Sequence, residues 1–98
     1  MALLLGAPLQ GIPSACADEL QARKRNCFAC HTVERKLVGP AFREVAGRHA
    51  ADRDAEARLA RKIREGGAGA WGALAMPPHP AIDDAEAREL ARWVLSLK

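Results

Sequence analysis

The stretch Cys27-Phe28-Ala29-Cys30-His31 constrains this chain more than any other. Two thiols three positions apart reach the two vinyl groups of one haem and form thioethers. The histidine that follows falls beneath the ring plane as a proximal iron ligand. Met76-Pro77-Pro78 stands 45 residues beyond His31 and offers a thioether sulfur on a stiff loop. His31 with Met76 is the axial pair of a haem that transfers electrons. A chain joined to haem in this way has to fold around a flat apolar disc.

Other uses of the two cysteines need a context that this sequence lacks. A thioredoxin-like C-x-x-C belongs in a strand–turn–helix inside a βαβ unit. No run of Val, Ile or aromatic residues with period two lies near Cys27. A zinc site needs four ligands. No second C-x-x-C or H-x₃₋₅-H follows, and His49 and His79 stand alone.

The 98 residues suffice for one small domain. The first 17 carry no charge, include Leu3-Leu4-Leu5 and end in Ala15-Cys16-Ala17, the A-x-A pattern after which signal peptidase cuts. This apolar stretch is too short to span a membrane as a helix. It also lacks the usual Lys or Arg near its start. Residues 1–17 are expected to be a secretory signal peptide and residues 18–98 the haem domain. Cys16 would leave with the leader. The alternative is a lipid attachment site, although Pro13 stands where such sites prefer Leu. Cleavage leaves 81 residues, a length at which a protein core alone is marginal. A covalently held haem supplies much of the missing core, and without it the chain is expected not to fold stably.

The net charge of +3 is uneven: residues 18–64 sum to +5 and residues 65–98 to −2. A modestly basic half suits steering towards an acidic protein partner, although most of these arginines read as solvated helix surface. Nucleic acid is not an expected partner, because no basic patch is interleaved with stacking aromatics.

The region after the leader reads as helices joined by loops. Asp18 is placed to cap a first helix running through Leu20, Ala22 and Cys27. A loop over residues 32–40 ends in the helix-breaking pair Gly39-Pro40. Residues 41–46 predict a short helix with Phe42 and Val45 on one side. Asp54 stands as the cap of a stronger helix with the apolar stripe Ala55, Leu59, Ile63, and Gly66-Gly67 stops it. Residues 66–82 hold four glycines and three prolines, so no regular element is expected there. Loops this long in small domains are usually functional, and this one carries Met76. Asp83 with Glu86 reads as a capping-box variant. The closing helix presents Leu90, Trp93, Val94 and Leu97 on one face, with Trp93 expected to pack against the first helix.

With these residues in place, the chain resembles the small bacterial class I cytochromes c, specifically the cytochrome c-551 type. The resemblance rests on Cys27–His31, Val38-Gly39-Pro40-Ala41, Trp71-Gly72, Met76-Pro77-Pro78, Asp83-Asp84, and Leu90 through Ser96. It implies an all-α class I cytochrome c fold, about four helices wrapped around one covalently attached haem c, with one haem edge open to solvent. Carried over by residue, it makes His31 and Met76 the axial ligands and Cys27 and Cys30 the thioether anchors. Pro40 becomes the residue whose carbonyl accepts the Nδ1 proton of His31, which fixes the ring and makes the ligand more basic. Trp71 resembles the indole that donates to a haem propionate, and Lys62 matches a basic position that pairs with it.

Three positions depart from that pattern. Asn26 stands where the family usually has glycine, and Ala22 where it usually has an aromatic residue meeting the closing helix. His79 replaces an asparagine that hydrogen-bonds the methionine sulfur in the relatives. Three roles are open to His79: a solvated loop residue, a donor to the Met76 sulfur, or a ligand that replaces Met76 when the loop loosens.

The resemblance implies a periplasmic one-electron carrier rather than an enzyme, expected to be monomeric and without stable membrane insertion. Its expected partners are redox proteins: a donor such as a membrane quinol-oxidising complex, and a terminal reductase or oxidase as acceptor. The main rival is a haem-based sensor or peroxidase-like protein with a labile Met76; the second is a thiol–disulfide or zinc protein.

Overall fold

A computed structural model describes residues 14–97. Four helices follow in order: α1 (Ser14–Lys24), α2 (Phe42–Arg48), α3 (Ala55–Glu65) and α4 (Asp84–Leu95). A 3₁₀ turn at Cys27–Ala29 separates α1 from α2. Among the described residues there is no strand, only one antiparallel bridge between Gly67 and Met76. Helix α4 is the hub, with α1, α2 and α3 each packed against it.

The periodicity places the long helices correctly and misjudges some of their ends. Helix α1 begins at Ser14, ahead of the expected Asp18 cap. Most of the proposed leader, residues 1–13, lies outside the described residues. The helix also stops before Cys27. Asn26 takes a left-handed conformation (φ 64°) that breaks it, and asparagine is among the few side-chain-bearing residues that tolerate that region. This is the physical sense of a position where glycine is usual. Asp54 occupies the cap position of α3 without capping it. Its own N–H instead donates to the Asp52 carboxylate at 2.8 Å.

The core gathers Phe42 and Val45 from α2, Ala60 from α3, and Ala87, Leu90, Ala91, Trp93 and Val94 from α4, with Ala22 and Ile82. Small residues on α3 and α4 let these two helices approach closely. Trp93 is buried, but its ring meets Phe42 at 5.3 Å and Phe28 at 6.1 Å, so its aromatic neighbours lie beyond the first helix rather than on it.

The α1–α4 seam is made differently, around Ala22 and Glu86. Asp83 caps α4 by accepting the Glu86 N–H at 2.8 Å. The Glu86 carboxylate does not complete the expected capping box. It accepts two hydrogen bonds from the Arg25 guanidinium, at 2.6 and 2.7 Å, and another from the Gln21 amide. A polar clamp thus stands where an aromatic contact is missing.

The Arg25 hydrogen bonds, then that of Gln21, hold the Glu86 carboxyl below its ordinary 4.5 against the opposing effect of burial. A carboxyl lowered in the folded state stabilises the fold above its unfolded pKa, and this stabilisation disappears as pH falls through the folded one. Glu86→Gln should therefore lower the melting temperature of the holoprotein by roughly 5 °C at neutral pH. The deficit should shrink as the pH drops below the carboxylate range. Thermal melts of both forms across that range provide the check, and a deficit independent of pH would remove charge from the explanation.

Candidate functional site

The helices and loops line a cavity of about 960 Å³ that opens to solvent, near the upper end of the ~300–1,000 Å³ typical of small-molecule and cofactor sites. Cys27, Cys30, His31 and Met76 all line it, together with Leu59 and Ile63 from α3. Four residues picked from sequence spacing, two of them 49 positions apart in the chain, are brought to one chamber.

The attachment segment is built by local hydrogen bonds. The N–H groups of Cys30 and His31 both donate to the Cys27 carbonyl, at 3.2 and 3.0 Å, and the Gly39 N–H donates to the Cys30 carbonyl at 2.7 Å. Both cysteines are half-buried and free. Burial pushes the Cys27 thiol up. That is the wrong direction for an attacking thiolate, which weighs against the thiol–disulfide reading. Among the described residues no three His, Cys, Asp or Glu side chains come together as a metal site, so the ligand set that zinc requires is not gathered.

His31 is held from three sides. Its Nδ1 lies 2.8 Å from the Pro40 carbonyl oxygen, so Nδ1–H donates there and Nε2 keeps its lone pair for a metal. Phe42 stacks on the ring at 4.8 Å and 18°. Gly39 lies against it so closely that a Cβ would stand 2.5 Å from Cε1. Composition alone does not announce that role for Gly39.

Met76 is positioned by the bridge to Gly67: the Gly67 N–H donates to the Met76 carbonyl at 3.0 Å, and the Met76 N–H to the Gly67 carbonyl at 2.8 Å. Gly66, with φ +70°, ends α3 and turns the chain into this pairing. A Cβ on Gly66 would come within 2.3 Å of the Met76 carbonyl oxygen.

Lys62 and Trp71 line the same cavity. The Lys62 ammonium lies over Gly67, 3.1 Å from where a Cβ would be. The Trp71 ring packs beneath the Arg48 guanidinium at 3.9 Å, and Arg48 also donates to the Ala70 carbonyl at 2.6 Å. Nothing in the sequence marks this tie between α2 and the loop that carries Met76, since Arg48 is one of many arginines. His79 is half-buried rather than solvated: Nδ1 lies 3.2 Å from the Ile63 carbonyl oxygen, and its N–H donates to the Arg64 carbonyl at 3.1 Å. Leu37, Val38 and Leu74 line the cavity yet remain more than half exposed, which gives it an apolar rim.

This donor set fits a covalently attached haem: two free thiols, an imidazole with a committed Nδ1 and a bare Nε2, and a thioether, around an apolar chamber. The sequence profile of the cytochrome c family matches residues 20–98. Cytochrome c-552 of Nitrosomonas europaea is 49% identical over 84 residues, covering 86% of this chain and 82% of that protein. Cytochrome c-551 of Pseudomonas aeruginosa is 46% identical over 80 residues, covering 82% of this chain and 76% of that protein. The crystal structure of the wild-type Nitrosomonas europaea cytochrome c552 superposes with a TM-score of 0.79 at 48% identity, covering 82% of this chain and 99% of that one.

Proposed function

Since this chain belongs to the cytochrome c family and is an electron carrier with one covalently attached haem c, we propose that it works in the periplasm with iron held by His31 and Met76. The observation that carries this reading is the convergence of Cys27, Cys30, His31 and Met76 on one cavity, with the His31 Nδ1 already committed to Pro40. The haem, when bound, supplies the one-electron change between Fe(II) and Fe(III). The protein supplies the rest. Cys27 and Cys30 fix the ring, Pro40 and Phe42 orient His31, and the Gly67–Met76 pairing presents the sulfur. Two axial side chains leave no coordination position for a substrate, which is why the role is transfer rather than catalysis. Lys62 and Trp71 serve the haem propionates.

Among the described residues no helix is long and apolar enough to cross a membrane. Residues 1–17 act as the export leader and residues 18–98 as the working domain. The apolar rim of Leu37, Val38 and Leu74 is where redox partners dock, a quinol-oxidising membrane complex on one side and a terminal reductase or oxidase on the other. The carrier acts as a monomer.

Spectroscopy of the holoprotein separates this reading from the sensor or peroxidase-like one. The ferric form should show the near-infrared band of methionine-ligated iron, titrate as a single one-electron couple, and fail to bind carbon monoxide when reduced. Its native mass should equal residues 18–98 plus one haem. Rapid carbon monoxide binding would replace the carrier with the sensor.

A further inference from the structure

His79 is the side chain whose surroundings differ most from a loop histidine's. It is half-buried and lines the cavity that also holds His31 and Met76. Its backbone N–H is tied to the Arg64 carbonyl at 3.1 Å, which anchors this end of the ligand loop to the C-terminus of α3. Its Nδ1 lies 3.2 Å from the Ile63 carbonyl oxygen. A carbonyl can only accept, so Nδ1 carries the proton and Nε2 of the neutral ring is bare. That is the tautomer the Pro40 carbonyl imposes on His31 at 2.8 Å. One cavity therefore holds two imidazoles prepared in the same way.

This tautomer decides between the roles open to His79. With Nδ1–H spent on Ile63, the neutral ring has no proton on Nε2 to donate to the Met76 sulfur. What it has there is a lone pair. We propose that His79 is a reserve axial ligand, which binds the haem iron through Nε2 when the Met76 sulfur leaves it. The proposal rests on the reading of His31 and Met76 as the resident pair. In the exchange the iron–sulfur bond breaks and an iron–nitrogen bond forms. The iron's oxidation state does not change, and no proton is released because Nε2 carries none. Four other basic side chains line the cavity, Lys36, His49, Arg58 and Lys62, and all are less suited. The Arg58 guanidinium stays protonated and has no lone pair to give, and Lys36, like Lys62, carries a proton in place of a free lone pair. His49 faces the Asp52 carboxylate at 3.6 Å, and Lys62 must first lose a proton. His79 alone is in the same loop, three residues from Met76.

The test compares wild type, Met76→Ala, His79→Asn and the double variant as holoproteins, by near-infrared absorption and electron paramagnetic resonance of the ferric forms. Wild type and His79→Asn should both show the methionine–iron band. Met76→Ala should lose it but stay low-spin with the signature of two imidazoles. The double variant should become high-spin, and its reduced form should bind carbon monoxide at least ~10-fold faster than that of Met76→Ala. Added imidazole should return the double variant to low spin, which shows that its site is intact. A high-spin Met76→Ala overturns the proposal and leaves Met76 as the resident ligand. A low-spin double variant overturns it too, since the ligand is then His49, Lys36 or Lys62. If Met76→Ala keeps the methionine band, the underlying ligand assignment falls instead.

Discussion

With Met76 as the proposed iron ligand, Gly66→Ala is expected to detach its sulfur and lower the midpoint potential by on the order of 0.2 V, within the roughly 0.8 V over which axial ligands set haem potentials. Two separate demands meet at Gly66. Its φ of +70° is a conformation that costs a side-chain-bearing residue about 1–3 kcal/mol. An added Cβ would also lie 2.3 Å from the Met76 carbonyl oxygen, 2.8 Å from the Pro78 nitrogen and 2.9 Å from the Pro77 carbonyl carbon. All three are backbone atoms, so no rotamer change relieves the clash, and the Gly67–Met76 pairing has to open. A thioether favours Fe(II), so losing it lowers the potential, and an imidazole arriving in its place would not reverse that. The methionine–iron band should vanish with the fall. Gly47→Ala is the control, because nothing lies within 4 Å of a Cβ there. Spectroelectrochemistry of both variants provides the measurement. A Gly66→Ala protein with wild-type potential and band would show that the turn does not place the sulfur.

What could be read from the sequence was of two kinds. Periodic patterns survived contact with the structure: the stripe of Ala55, Leu59 and Ile63 and the face of Leu90, Trp93 and Val94 lie on α3 and α4, against the core or the cavity. The residues of the short motifs tied to chemistry come together, because attachment and ligation would need particular atoms at particular spacings. Cys27, Cys30, His31 and Met76 share one cavity, and Pro40 meets the His31 Nδ1.

Contacts between distant parts of the chain left no such mark. Glu86 reads as a local cap because it stands three residues after Asp83, yet its carboxylate is claimed by Arg25, 61 residues away. No sequence period encodes that choice. Arg48 over Trp71 is similarly silent, since an arginine on a solvated face and one clamping a loop are written the same way. The tautomer of His79 depends on which carbonyl lies near its ring, a fact of packing alone. Glycines were legible where they end a helix, and illegible where they make room for a side chain, as Gly39 does for the His31 ring.

Blocking attachment with Cys27→Ser and Cys30→Ser, in a chain made without haem, is expected to abolish cooperative folding. Helices α1, α2 and α3 pack against α4, but together with the loops they do not fill the interior. Between them lies a chamber of about 960 Å³, onto which His31, Leu59, Ile63 and Trp93 all face. Voids left in a protein core cost about 24 cal/mol per Å³. A fully enclosed space of this size would thus cost ~20 kcal/mol, against a total stability of about 5–15 kcal/mol for a small domain. The chamber opens to solvent, which removes much of that cost, and what remains is an apolar lining left against water. The remaining core cannot make up the difference, because among the described residues its main cluster draws on four alanines, Ala22, Ala60, Ala87 and Ala91. Collapse of the helices into the space is opposed by the same loops that position Met76 and His31, whose backbones are tied to α3 and to the attachment segment. Far-UV circular dichroism of the haem-free variant should show much less helix than the holoprotein, with a shallow, non-sigmoidal response to urea. A sharp transition with native helix content would mean that the polypeptide holds its own fold, and that haem is added to a finished structure rather than completing it.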